Sequence, residues 1–234
     1  MSWLEAIPWG DKLVPDLVLY AASMLGFALL PAHFGKKVWI LLGWFICINV
    51  LFLLGLPYMP DWGGPWIFAA LGQIPWILYV LSIFLGGRLS AEVASVPMRE
   101  LILWQIARIM GLHFVLAIYG GYAPQEFALQ IGFSEMVTAL GALALYVINR
   151  PNRGWYRTML VFWNTYGLTS VIAADYRTLL SNPQIPFASM SREIFQYMAS
   201  YPQSWLYCFW FPFSIAMHAA VFHKMYFQRA SARS

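Results

Sequence analysis

Charge is what this chain has least of. Asp, Glu, Lys and Arg make up 10% of its 234 residues, where a soluble domain carries about 25%. With 61% of the residues hydrophobic, a soluble fold would leave large sticky patches in water. That argues against a soluble domain and for a bilayer, where lipid solvates outward-facing apolar side chains. Cysteine is scarce as well. Cys47 and Cys208 lie inside apolar runs, with neither the number nor the spacing of a disulfide framework or a zinc site. Both read as buried thiols acting as small apolar residues. There is no Cys-x-x-Cys pair, no His-x-x-x-His box, no nucleotide loop and no visible internal repeat. The opening MSWLEAIPWGDK lacks a basic stretch leading into an apolar one, so no cleavable signal peptide is expected.

Aromatic residues are abundant instead. Twelve Trp and thirteen Tyr suit membrane–water interfaces, where an amphipathic ring has one wet end and one dry end. A spanning helix needs about 20 mostly apolar residues. Seven stretches qualify: 13–33, 37–58, 65–86, 100–120, 127–148, 157–178 and 203–226. The expected fold class is therefore all-α, a polytopic transmembrane helical bundle forming a single unit over residues 1–234. The breaks between spans, such as HFGKK, PYMPDWGGP, GGRLSAEVASVPMRE and GGYAPQE, carry turn chemistry.

The formal charge of +4 sits in short loops, so it reads as a topology signal and not as a nucleic-acid footprint. Lys36, Lys37, Arg88, Arg99, Arg150, Arg153, Arg157, Lys224, Arg229 and Arg233 fall in one set of loops, and Asp61 and Glu126 in the other. The positive-inside rule then puts the N-terminus outside and the C-terminus in the cytoplasm. Arg177 and Arg192 are exceptions in the longest outer loop. Within that loop, 189–199 reads as an interfacial helix on the outer leaflet or a docking surface for a partner, with Ile194, Phe195 and Met198 on one face and Tyr197 and Tyr201 at its flanks.

Ionisable and strongly polar groups inside a span are expensive and mark candidate sites. At ~1.5 Å per residue, Arg108, Asn164 and His218 lie ~10–12 Å from the cytoplasmic side on three different helices. Glu135 and His113 lie ~18–20 Å from that side. An arginine is long enough to reach across such a gap. The expected site is an Arg108–Glu135 ion pair with Asn164 and His218 completing a hydrogen-bonded cluster, and with His113 as a further candidate. The cluster either binds a ligand or fixes helix packing alone. Pro75 and Pro212 free the carbonyls of Leu71 and Cys208 and are expected to kink their helices. Gly167, Ser170 and Ala174 form a small-residue face suited to close helix contact.

Two deep histidines invite a haem test. Their estimated depths differ by ~10 Å, too much for two axial ligands of one haem. A single-histidine haem or chlorophyll-type pigment stays open as a cofactor. A retinal Schiff base needs a lysine in the middle of the last span, and Lys224 is at its end. His33 and His223 near the cytoplasmic ends read as snorkelling, interfacial residues.

The motifs Gln105-x-x-Arg108-x-x-Gly111, Gly121-x-x-Pro124-x-x-Phe127-Ala128, Gly132-x-x-Glu135, Trp163-Asn164-x-x-Gly167-Leu168 and Pro212 followed by His218 carry a resemblance. The chain resembles a family of uncharacterised bacterial seven-helix integral membrane proteins. Glu135 stands where that family's motif has Asp, and Ser170 where an Asp usually follows the Trp-Asn pair. The resemblance spans the last five stretches. It implies a shared fold and a shared Arg108, Glu135, Asn164 and His218 cluster, with no established activity attached. The resulting expectation is a non-catalytic subunit or accessory protein of a larger membrane complex, of respiratory or photosynthetic type, meeting lipid and membrane partners through aromatic faces. The alternatives are a transporter or receptor handling protons or a small molecule at the cluster, and a membrane enzyme on a lipid-like substrate with His218 or Glu135 as base. The enzyme is the weakest, because no nucleophile–base pair or metal box is visible.

Overall fold

A computed structural model describes residues 9–29, 37–55, 64–183 and 187–231, with side chains over 14–29, 39–55, 66–183 and 187–225. All regular elements among the described residues are helical. They are α1 Trp9–Ala28, α2 Lys37–Leu53, α3 Gly64–Phe84, α4 Arg88–Ser95, α5 Met98–Trp104, α6 Gly111–Tyr119, α7 Gln125–Ile148, α8 Gly154–Leu180, α9 Arg192–Ala199 and α10 Phe211–Ser231. A 3-10 segment, Gln105–Met110, joins α5 to α6, and a π-helical turn, Leu206–Trp210, leads into α10.

Each stretch expected to cross a bilayer is helical over most of its described part. Four helical segments are long and apolar enough to do so: Trp66–Phe84, Met98–Tyr119, Gln125–Ile148 and Leu206–Met225. Val14–Ala28 and Trp39–Leu53 are apolar but shorter. α8 has the length, yet it carries Arg157, Asn164, Asp175 and Arg177 and is not one of the four. Successive long helices alternate in direction. Ser90 of α4 meets His223 late in α10 at one end, and Tyr197 of α9 meets His113 of α6 at the other. The first, where α5 and α8 begin and α7 stops, is the basic end.

The last long helix is the axis of the bundle. From Trp205 to Val221 nearly every side chain is buried. Burying large rings is the main source of apolar stabilisation, at about 25 cal/mol per Å². Phe45 of α2 lies 5.1 Å from Phe209 and 4.9 Å from Trp205, edge to face. Phe27 of α1 lies 5.4 Å from Trp210, which stacks on Trp104 of α5 at 5.8 Å. The outer sides of α2 and α3 expose Trp39, Ile40, Leu53, Trp66, Leu78 and Phe84.

Several expectations need correction. The stretch GGRLSAEVASVPMRE is not plain loop: α4 forms there, and its Val93 and Ser90 are buried. Pro212 is preceded by a π-helical turn, which rearranges the ladder one turn upstream of the ring that has no N–H to give. His223 does not snorkel. It is buried and bonded to Ser90 at 2.9 Å. Cys208 is buried as expected, but Cys47 is exposed. Tyr197 is not a flank of α9. It is buried with Ile194 and Met198, so the apolar face of α9 packs onto its own chain. His33 and the turns HFGKK and PYMPDWGGP fall largely outside the described residues.

Candidate functional site

Arg108 sits in the 3-10 segment with no exposed surface. A guanidinium has five N–H donors and no acceptor. Nε donates to Glu135 Oε2 at 2.7 Å, and Nη2 donates to Glu135 Oε1, a two-pronged grip on one carboxylate. Nη1 donates to the Gly167 carbonyl at 3.0 Å and to His218 Nε2 at 2.7 Å. Nη2 also donates to Ser170 Oγ at 3.2 Å. Every donor of Arg108 therefore has an acceptor within the chain.

These bonds fix the protons of their neighbours. Because a guanidinium only donates, His218 Nε2 must accept. The ring proton then sits on Nδ1 and is donated to Asn164 Oδ1 at 2.8 Å. That sets the Asn164 amide, whose Nδ2 donates to the His218 carbonyl at 3.0 Å. His218 is thus held as a neutral imidazole in one tautomer. Ser170 Oγ in turn donates to the Gly167 carbonyl at 3.0 Å. One ion pair and its partners tie together the 3-10 segment, α7, α8 and α10.

Close backbone approach makes this geometry possible. A Cβ on Gly167 would lie 2.5 Å from His218 Cε1 and 2.9 Å from Thr138 Cγ2. A Cβ on Gly111 would lie 2.5 Å from Glu135 Cβ and 2.6 Å from the Gly132 carbonyl oxygen. Small residues of this kind let helices cross with little between them. Within the small face of α8, Gly167 is therefore where the imidazole of His218 lies.

His113 is not part of the cluster. Its Nδ1 meets the Pro15 carbonyl at 2.9 Å and must donate, since a carbonyl only accepts. Its Nε2 pairs with the Tyr197 hydroxyl at 2.9 Å. Burial pushes the Tyr197 phenol up, keeping it a neutral partner. His113 is thus a clasp joining α1, α6 and α9. Both ring nitrogens of His113 and of His218 are engaged, so axial ligation of a haem or pigment by either would break an existing bond.

Sequence reasoning passed over a second buried polar group. Asp175 of α8 is buried, and its Oδ2 accepts from Gln73 Nε2 of α3 at 2.7 Å. Gln73 Nε2 also donates to the Tyr207 hydroxyl at 3.1 Å, and its Oε1 accepts from Trp76 Nε1 at 3.3 Å. Asp175 Oδ1 has no partner among the described residues. The signal was a carboxylate and a glutamine, each inside a stretch long enough to span. No group of three or more His, Cys, Asp or Glu fit to hold a metal ion occurs among the described residues.

Residues 65–226, from the start of α3 nearly to the end of α10, match the family model described as a domain of unknown function, DUF8737. The chain belongs to this family. All the motifs that carry the sequence resemblance, and all the partners of Arg108, lie inside the DUF8737 region. No curated protein and no solved structure matches the chain.

Proposed function

We propose that this DUF8737 protein is a non-catalytic integral membrane subunit or accessory protein. It crosses a bacterial inner membrane seven times, N-terminus outside and C-terminus in the cytoplasm, within a larger complex. The observation that carries this reading is the saturation of Arg108. A cation that must greet a substrate keeps donors free, whereas this one has given all five to its own chain. A buried, complete network specifies packing. The seven-span topology is supported by the alternating direction of the long helices and by the gathering of Arg99, Arg157 and Lys224 at one end. The exposed aromatic and aliphatic faces of α2 and α3 supply surface for lipid and for partner helices. Purification in mild detergent with cross-linking and mass spectrometry tests this. A membrane protein recovered in fixed ratio is expected. A lone, colourless chain would sink the reading.

A second reading rests on one specific observation. A groove of about 290 Å³ between α7 and α8 is lined by Gln130, Ser134, Thr169, Ser170 and Arg177. Ser170 also accepts from Arg108. A polar ligand or proton carrier entering there would reach the network through one hydroxyl. Serine-to-alanine replacement at 170 separates the two readings. The subunit reading expects unchanged assembly, and the ligand reading expects lost binding or transport.

A further inference from the structure

The basic end holds a cavity that the Arg108 network does not use. It measures about 330 Å³ and is lined by Arg99, Asn149, Arg157, Lys224, Leu160 and Met225, among others. Small-ligand pockets begin at about 300 Å³. Three cations from three helices, α5, α8 and α10, face it, and no carboxylate lines it. Glu100, next to Arg99 in sequence, is not part of its wall.

Lys224 is the telling residue. It is only 7% exposed, yet its ammonium donates to the Ala94 carbonyl and meets no carboxylate among the described residues. A buried ammonium without a counter-charge is unfavourable. Beside it, Arg99 lies over the Tyr146 ring at 4.1 Å, which aims its guanidinium without neutralising it. Arg157 lies in the first turn of α8, a helix of 27 residues whose positive dipole end opens at the same place. The Tyr156 hydroxyl donates to the Leu145 carbonyl at 3.0 Å, which leaves the three cations and Asn149 as the polar groups facing the cavity. Apolar Pro97, Met98, Leu160 and Met225 complete the wall.

We infer that this cavity binds a phosphate-bearing anion, with Arg99, Arg157 and Lys224 as its ligands. Basic pockets between spanning helices at one membrane face hold anionic headgroups. The same chemistry accepts free phosphate. The inference rests on the membrane reading above, whose topology also uses Arg99, Arg157 and Lys224, and not on the saturation of Arg108.

The test uses the full chain, delipidated in a neutral detergent and titrated by native mass spectrometry. The probes are phosphatidylglycerol, phosphatidylcholine and inorganic phosphate. Tight binding of phosphatidylglycerol over phosphatidylcholine, weakened about thirtyfold in R99Q/R157Q, is expected. Arginine-dependent binding of inorganic phosphate alone would assign the site to a soluble anion and also sustain the inference. Equal binding of both lipids with no arginine-dependent phosphate binding, or affinities unchanged in the variant, would overturn it. If the double variant fails to fold, Arg157→Gln alone serves, because that side chain is exposed.

Discussion

The last span, from Trp205 through the π-helical turn into α10, presents two different interfaces to the rest of the bundle. On one, His218 meets Arg108 and Asn164 through directed bonds, with Gly167 clearing the space. On the other, Trp205, Phe209 and Trp210 meet α1 and α2 through rings alone. Both are buried, and they specify structure differently. The polar side admits one register, because a shifted donor leaves a charge unpaired in a dry interior. The aromatic side supplies area and tolerates small adjustments of ring against ring. The bundle is thus keyed on one side and cushioned on the other.

Substitutions probe that contrast in order of size. Glu135→Gln leaves the Arg108 charge buried without its carboxylate, and a loss of about 3–5 kcal/mol is expected. Thermal unfolding in detergent would show it. Glu135→Asp, the residue of the resembling family, keeps the charge and should lose much less. Gly167→Ala drives a methyl into the His218 ring, with overpacking of about 1–3 kcal/mol. Denaturation of that variant alongside the parent gives the value, and an unchanged midpoint would mean that the ring is free to move. On the cushioned side, Phe45→Leu keeps most of the apolar volume and should cost less than about 1.5 kcal/mol. A cost rivalling that of Glu135→Gln would erase the distinction between the two interfaces. Cys47→Ala, at an exposed position on α2, should stay within about 0.5 kcal/mol of the parent.

The cluster was legible because cost singles out residues in an apolar run. Arg108, Glu135, Asn164 and His218 each stood alone in a greasy stretch, and depth placed them in neighbouring layers. His113 shows the limit of depth. It lies five positions beyond Arg108, about 140° around a helix, so it turns to a different neighbour. The 3-10 segment and the π-helical turn were not legible, since both arise from how the chain accommodates packing. α4 hid in a loop because its Arg88 and Glu92 read as solvated charge, while its Ser90 and Val93 face the core. Asp175 was passed over because it stood near the expected end of a span. α8 runs on to Leu180 and draws it inside. The chain contributes the pattern of expensive residues; which face each one turns to is settled by the neighbours it meets.

The most direct test is a double-mutant cycle on Arg108 and Glu135, read by thermal unfolding of Arg108→Met, Glu135→Gln and the pair together. If the two side chains lock the bundle through each other, the double variant unfolds at a higher temperature than Glu135→Gln alone, because no unpaired charge remains. Losses that simply add would show that each residue acts separately, and the keyed interface would not exist.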